Sequence, residues 1–388
     1  MEVGNMQTLP EGRRKYIMSY NALRGFAAAG IFFSHMSYLG KSDMAFWREL
    51  YRFFMSPGSY CSSFFYILSG FLAVFTWKDI SFQKYMSGKM KKIYPLALAV
   101  LLLAIGVDVV MGGSETVSGS ISVGSREWWF NILMGIIMLK AFIPVESTFY
   151  SFHGPSWYLS ALVVFYVLAW FIVPRLVGNG EQERQEKNQT VIAVIYICVC
   201  AYVMQAALCF IVDLKCSGGG IRLWLTYVNP YFRIFGECFL GMIVALYADK
   251  SRLASSSGNL AKAAAVLFAL LALLASSRDS SSIWKAWIHS FPNVLLLLAF
   301  YNDKGKIADI LHTKPCQFLG NISFELYMTH AFVYEGIPIA AGILSSRWQG
   351  WIVSHAGTRF VITMVLAVLF AWMVHMVLAM VGKKAAEF

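Results

Sequence analysis

Eleven stretches of roughly 20 mostly apolar residues dominate this chain and constrain its fold more than any other feature. A helix needs about 20 apolar residues to cross a bilayer, because its backbone groups must bond to one another there. Hydrophobic residues make up 58% of the 388 residues and charged residues only 14%. We therefore predict an all-α, polytopic membrane protein that forms one domain over residues 1–388. The stretches are centred on residues 22–39, 58–77, 93–111, 127–143, 155–174, 190–212, 229–248, 260–276, 284–301, 322–344 and 357–381.

Basic residues near the two ends predict the orientation of the chain. Arg13–Lys15 precede the first stretch, and Lys383 and Lys384 follow the last. The positive-inside rule places both termini in the cytoplasm, with 1–18 as the N-terminal segment and 382–388 as the tail. Two cytoplasmic ends require an even number of crossings, so one of the eleven stretches does not span.

The stretch 127–143 is the best choice for the one that does not cross. It is short and contains Asn131 and Lys140. Omitting it also gives the more asymmetric distribution of basic residues across the membrane. We predict ten spanning helices, with 127–143 re-entrant or interfacial; 260–276 is also short and is the alternative.

The net charge of +11 does not indicate nucleic-acid binding. The 32 Lys and Arg residues are spread in small groups between apolar runs, a pattern typical of membrane topology. The seven Cys residues lie mostly inside apolar stretches without CxxC pairing. No metal site is predicted from them, and no ATPase, serine hydrolase or zinc hydrolase motif is present.

Two ionisable residues lie in the first stretch, "NALRGFAAAGIFFSH". Arg24 and His35 are eleven positions apart, about 1,100° of rotation and roughly 16 Å of rise on an α-helix. They therefore share one face at two depths. Ionisable groups in a membrane helix are costly and are candidate functional residues. The alternative is that Arg24 reaches lipid phosphates and His35 bonds a neighbouring helix.

The late stretch "LGNISFELYMTH" contains Glu325 and His330. Five positions separate them, so they point about 140° apart on a helix. Glu325 could pair with Arg24, orient a histidine from another helix, or be a protonated acid. Arg233 and Glu237 are at positions i and i+4, and a structural ion pair is the favoured interpretation for them.

The segment from Lys78 to Lys92 is predicted to be a cytoplasmic loop before a helix that begins near Tyr94 and Pro95. Its lysines could simply set topology and attract anionic lipid. The more specific hypothesis is a docking site for a phosphorylated ligand, formed by Lys89, Lys91 and Lys92.

Four ordered motifs together resemble the acyltransferase-3 family of integral membrane acyltransferases, which in bacteria mostly O-acylate cell-surface glycans. They are the Arg24 and His35 motif, "FFYILSGFLAVFTW" with Leu68–Phe71, "KMKKIYP", and "LGNISFELYMTHAFV". "GPSWYLSALVVFYVL" and "YFRIFGECFLGMIVALY" match weaker patterns. Two motifs depart from the family pattern: Lys89 and Lys92 stand where Arg is usual, and "WYLSALVVFY" lacks the acidic residue of many members.

The resemblance implies an acyl-CoA donor, with acetyl-CoA the first choice, and a glycan or lipid-linked saccharide acceptor at the outer face. No metal or nucleic acid is implied, and membrane lipids and glycan-assembly proteins are the expected partners. It places the protein in a bacterial cytoplasmic (inner) membrane. The implied catalytic residues are His35, Arg24, Glu325 and His330. The donor-binding residues are Arg24, Lys89, Lys91, Lys92 and Tyr94, and the substrate-binding residues are Ser69, Trp157 and Arg233.

The implied mechanism uses His35 as the general base toward the acceptor hydroxyl, with Arg24 toward the donor. A covalent acyl intermediate on Ser69, His330 or His35 is left open. Two other functions remain: a transporter or flippase of a glycan or lipid without acyl transfer, and a scaffold for a glycan-assembly complex. Only an enzyme would consume acyl-CoA.

Overall fold

The computed structural model describes residues 16–116, 119–178, 181–215, 229–248, 251, 258–278 and 282–386. Arg13–Lys15 lie outside these residues. The α-helices are α1 (Met18–Ser34), α2 (Ala45–Leu50), α3 (Gly58–Phe75), α4 (Phe82–Met111), α5 (Arg126–Ile136), α6 (Glu146–Phe149), α7 (Trp157–Val177), α8 (Glu181–Lys215), α9 (Asn229–Phe232), α10 (Phe239–Ala248), α11 (Asn259–Arg278), α12 (Ser282–Phe300), α13 (Lys306–Leu311), α14 (Lys314–Asn321), α15 (Ser323–Leu344), α16 (Ser346–Ser354) and α17 (Ala356–Ala386).

Short helices of other types complete the described architecture. Three 3₁₀ helices cover Ser37–Lys41, Lys140–Phe142 and Gly154–Ser156. Two π-helical turns, Tyr51–Met55 and Arg233–Cys238, continue neighbouring α-helices.

Seven helical segments of the described chain are long and apolar enough to cross a membrane. The fold is all-α, as predicted. Three further predicted spans also form helices, namely α1, α12 and α15; the total of ten spans stays a prediction. The seven are Ala45–Phe75, Phe82–Met111, Gly154–Val177, Arg184–Leu208, Asn229–Ala248, Asn259–Ser276 and Ala356–Val381.

The stretch 127–143 forms only a short helix. Helix α5 has 11 residues and ends at Ile136. At about 1.5 Å per residue it is too short for a hydrocarbon core of roughly 30 Å. This length agrees with the prediction that the stretch does not span. An antiparallel hairpin of Gly113–Thr116 and Gly119–Ser122 precedes it, and the sequence did not predict these strands.

Three predicted helix boundaries are wrong. The segment 78–92 is not a loop throughout, because α4 already begins at Phe82, where the Ser81 side chain accepts a hydrogen bond from the Lys84 N–H. Pro95 therefore lies inside α4, where it removes one backbone hydrogen bond and its ring crowds the carbonyl of Lys91. The helix predicted over 190–212 already begins at Glu181. Helix α1 ends at Ser34, so His35 is its C-cap.

Two features position α1, which carries Arg24 and His35. The Asp303 carboxylate accepts hydrogen bonds from the Met18 N–H at 2.9 Å and the Ser19 N–H at 3.0 Å, and so caps the N-terminus of the helix. Further along, Gly25 packs against the backbone of Gly320 in α14, where a side chain would collide at 2.6 Å. These contacts fix the helix against the C-terminal part of the chain.

Candidate active site

Two histidines from distant parts of the sequence meet where α1 packs against α15. The rings of His35 and His330 lie 4.8 Å apart between centroids, at an angle of 58°. His330 is fully buried, whereas His35 is half-buried. The two histidines that were predicted separately as functional residues therefore lie at one place in the structure.

Backbone hydrogen bonds fix which nitrogen of each ring carries its proton. Nδ1 of His35 lies 2.9 Å from the Ile31 carbonyl, and Nδ1 of His330 lies 2.7 Å from the Tyr327 carbonyl. A carbonyl oxygen only accepts, so each Nδ1 donates. In the neutral rings both Nε2 atoms are therefore acceptors. A ligand with two neighbouring hydroxyl groups would complement such a pair, because each hydroxyl has one proton to donate.

Two cations converge on Tyr166 of α7, toward the other end of α1. The Lys89 ammonium lies 4.8 Å from the centroid of the Tyr166 ring, and the Arg24 guanidinium is close enough to interact with the Tyr166 hydroxyl electrostatically. Among the residues that the structure describes, no carboxylate lies within salt-bridge distance of Arg24 or Lys89. This positive charge is available to an anionic ligand.

The three lysines of the predicted donor site differ in orientation. Lys89 is half-buried against Tyr85 and Tyr166, whereas Lys91 and Lys92 are exposed. Only Lys89 faces the interior. Tyr94 is half-buried and packs against the main apolar core.

A run of aromatic rings leads toward the histidine pair from this cationic end. Tyr158 lies 5.3 Å from Tyr327 between ring centroids, and Tyr327 lies 6.0 Å from His330. Ser69 is close to both Tyr158 and Tyr166, and its hydroxyl donates to the Phe65 carbonyl at 2.7 Å. Ser69 therefore lies between the cations and the histidines, as a substrate-binding residue would.

Arg233 is engaged within the protein. Its guanidinium forms an ion pair with Glu237 at 2.6 Å and donates to Ser63 Oγ at 2.6 Å and Asn229 Oδ1 at 3.1 Å. The residue is 5% exposed. These contacts support the structural interpretation of the Arg233 and Glu237 pair. Trp157, the other predicted substrate-binding residue, stacks between Tyr66 and Phe149.

Glu325 contacts neither Arg24 nor His330. Its Oε1 accepts a hydrogen bond from Nδ1 of His375 in α17 at 2.8 Å. This contact matches one of the alternatives left open by the sequence, a histidine from another helix. The five-residue spacing explains why Glu325 and His330 face different neighbours.

Two residues of this region were not predicted as site residues from the sequence. His153, just before α7, is 4% exposed and interacts electrostatically with His35 and His330. Buried Lys140 donates to the carbonyls of Ser151 and His153 at 2.9 and 2.8 Å. The sequence did contain one signal for His153, because this histidine directly precedes the family-like motif "GPSWYL". Its contacts with His35, His330 and Lys140 depend on tertiary packing and could not be predicted.

No group of three His, Cys, Asp or Glu residues within the described ranges could hold a metal ion. The cysteines that the structure describes are free: Cys61, Cys198, Cys200, Cys238 and Cys316.

Comparisons with known proteins agree with the geometry. The family model for the acyltransferase domain matches residues 18–376, which include every residue of the site. The acyltransferase MdmB of Streptomyces mycarofaciens is 26% identical over 367 residues, covering 92% of this chain and 89% of that protein. No solved structure matches the chain.

Proposed function

Since the chain belongs to the acyltransferase-3 family, we propose that this membrane acyltransferase moves an acetyl group from cytoplasmic acetyl-CoA to a hydroxyl of a cell-surface or exported glycan. The observation that carries the proposal is the pair of acceptor nitrogens on His35 and His330, opposite the cations Arg24 and Lys89 on the same bundle. We further propose a bacterial cytoplasmic membrane as its location, with both termini inside.

The cationic end suits the donor. Coenzyme A carries several phosphates, and the Arg24 guanidinium and Lys89 ammonium, which have no carboxylate partner in the part of the chain that the structure describes, would neutralise them. Lys binds phosphate as a point charge, so Lys89 can act here even though relatives use Arg. The acyl thioester would then extend past Ser69 and Tyr158 toward the histidines.

The His35 end suits the acceptor. Its half-buried ring lies 6.5 Å from Tyr334 between centroids, and Glu335 interacts with it electrostatically. Nearby, the guanidinium of Arg359 lies 4.0 Å from the Tyr38 ring centroid and donates to the Tyr334 carbonyl. Aromatic faces and charged groups of this kind suit a polyhydroxylated ligand.

In the proposed reaction, the acceptor hydroxyl attacks the thioester carbonyl while Nε2 of His35 takes its proton. A base positioned within hydrogen-bond reach of the hydroxyl accelerates such a step by about 10²- to 10⁴-fold. The carbon–sulfur bond then breaks, and the proton passes from His35 to the coenzyme A sulfur. Nε2 of His330 offers a second acceptor, which can take a hydrogen bond from a neighbouring hydroxyl of the glycan and so orient it.

The test uses inverted membrane vesicles that contain the wild-type chain or His35→Ala, supplied with acetyl-CoA labelled in the acetyl group. We expect transfer of the label to membrane glycan in the wild type and none with the variant at equal expression. An equal transfer rate in both would exclude His35 as the base. Label that stays on coenzyme A in the presence of acceptor-rich membranes would contradict the proposed donor.

A further inference from the structure

A buried lysine shapes the segment that precedes α7. Lys140 is 3% exposed, and its ammonium group binds the carbonyls of Ser151 and His153. Phe152, between them, has a φ of 55°. A bulky residue is rarely found in this left-handed region, and such strain persists only where surrounding contacts enforce it. The two hydrogen bonds from Lys140 therefore fix the position of the backbone that carries the His153 side chain.

The ring of His153 is held next to the histidine pair. It stacks on Phe332 at 5.3 Å and 20°, and Phe332 follows His330 by two positions in α15. His35, His330 and Lys140 are its electrostatic neighbours. The segment is tied to α15 a second time, because the Tyr327 hydroxyl donates to the Pro155 carbonyl at 2.6 Å.

Both ring nitrogens of His153 are buried and have no hydrogen-bond partner among the residues that the structure describes. Buried polar groups are nearly always hydrogen-bonded. A neutral imidazole carries one N–H, so His153 holds a donor that a ligand can use.

The histidine pair itself lacks such a donor. The N–H groups of His35 and His330 are used by backbone carbonyls, and the hydroxyl of Tyr327 is used by Pro155. Arg24 lies eleven positions before His35, roughly 16 Å along α1. Attack on a thioester places negative charge on the carbonyl oxygen, which needs donors nearby.

We propose that the ring N–H of His153 donates a hydrogen bond to the carbonyl oxygen of the acyl group as that oxygen becomes an oxyanion. This inference rests on the proposed acyl transfer. The acceptor oxygen bonds to the acyl carbon, its proton moves to Nε2 of His35, and the carbonyl π electrons move to the oxygen held by His153. When the carbonyl re-forms, the thiolate leaves and takes the proton from His35. His153 stays neutral and keeps its proton throughout.

The test compares two substitutions in the full-length protein in membrane vesicles. His153→Phe keeps a ring against Phe332 but removes the donor, and His153→Asn keeps an N–H donor in a smaller side chain. We expect His153→Phe to lower kcat for acetyl transfer by about 10²- to 10³-fold with an unchanged KM for acetyl-CoA. We expect His153→Asn to retain activity within about tenfold of the wild type. Melting temperatures in detergent show whether each variant is folded.

The outcomes separate this inference from the proposed function. Wild-type activity together with full activity in His153→Phe would overturn the role of His153 alone. The same conclusion follows if the folded Asn and Phe variants are equally impaired, or if His153→Phe raises KM and leaves kcat unchanged. Absence of acetyl transfer by the wild type would overturn both proposals.

Discussion

The centroids of the His35 and His330 imidazole rings lie 4.8 Å apart. Each ring donates its Nδ1–H to a backbone carbonyl about one turn earlier in the chain, that of Ile31 for His35 and that of Tyr327 for His330. Both hydrogen bonds are local, so each ring keeps its tautomer through its own backbone. The two Nε2 atoms are consequently free to accept from one acceptor molecule, His35 from the attacking hydroxyl and His330 from a neighbouring one. Their roles should be coupled, because residues that act as a unit are not additive.

The first prediction concerns this coupling. His35→Ala should lower kcat by about 10²- to 10⁴-fold, because it removes the base. His330→Ala should lower it by roughly tenfold or more, because the glycan loses the hydrogen bond that holds its neighbouring hydroxyl in place. The double variant should be no slower than His35→Ala. Steady-state rates in vesicles at equal expression check this, and multiplicative losses in the double variant would mean that the histidines act independently.

The second prediction concerns the donor site. Arg24→Gln and Lys89→Met should each raise the KM for acetyl-CoA by about tenfold or more, because a hydrogen bond to a charged group contributes about 1.5–3 kcal/mol. Lys91→Gln is the matched control, since Lys91 is exposed and should leave KM within about twofold. Competition by coenzyme A provides a second measurement. An equal effect of Lys89 and Lys91 would indicate general attraction by surface charge.

The third prediction concerns Asp303, which lies between α12 and α13 and caps α1. Burial alone would raise the pKa of Asp303, but hydrogen bonds from Ser19, His312 and the Met18 N–H outweigh it and lower the pKa below 3.8. A carboxylate with a lowered pKa stabilises the fold above its unfolded pKa, and this contribution disappears as the pH falls through the folded value.

Asp303→Asn should therefore reduce the free energy of unfolding by about 0.3–1 kcal/mol at neutral pH, the usual value of a negative charge near a helix N-terminus, because Asn keeps an acceptor oxygen and removes only the charge. The difference in melting temperature between the variant and the wild type should shrink as the pH falls below about 4. Thermal denaturation in detergent across this range measures it. A difference that grows in acid would show that the Asp303 carboxylate does not stabilise α1.

The fourth prediction concerns Glu325 and His375. Since Glu325 bonds to His375 and not to His35 or His330, Glu325→Gln should lower the melting temperature and leave kcat within a few-fold of the wild type. His375→Gln should have a similar effect, and the double variant should cost less than the sum of the two. A loss of kcat near that of His35→Ala would restore Glu325 as a catalytic residue, as the sequence suggested.

The features that could be predicted from the sequence are those set by neighbouring residues, namely the apolar stretches and the faces of single helices. Bilayer thickness sets the length of the apolar stretches, and helical periodicity placed Arg24 and His35 on one face. It also placed Glu325 and His330 on different faces. The pairing of Glu325 with His375 and the approach of His153 to His35 depend on how distant helices pack, which no local pattern encodes. The orientation of Lys89 was missed because it depends on α4 beginning at Phe82, before the apolar stretch itself.

The last prediction separates the structural role of Arg233 from substrate binding. Glu237→Ala should destabilise the protein by about 3–5 kcal/mol, because it leaves the buried guanidinium of Arg233 without its carboxylate. Replacement of both partners, Arg233→Met with Glu237→Met, should be less destabilising than Glu237→Ala, because no buried charge is left unpaired. Melting temperatures of the purified variants test this order. The double variant should also keep kcat and KM within a few-fold of the wild type, and a folded but inactive double variant would assign Arg233 to the substrate instead.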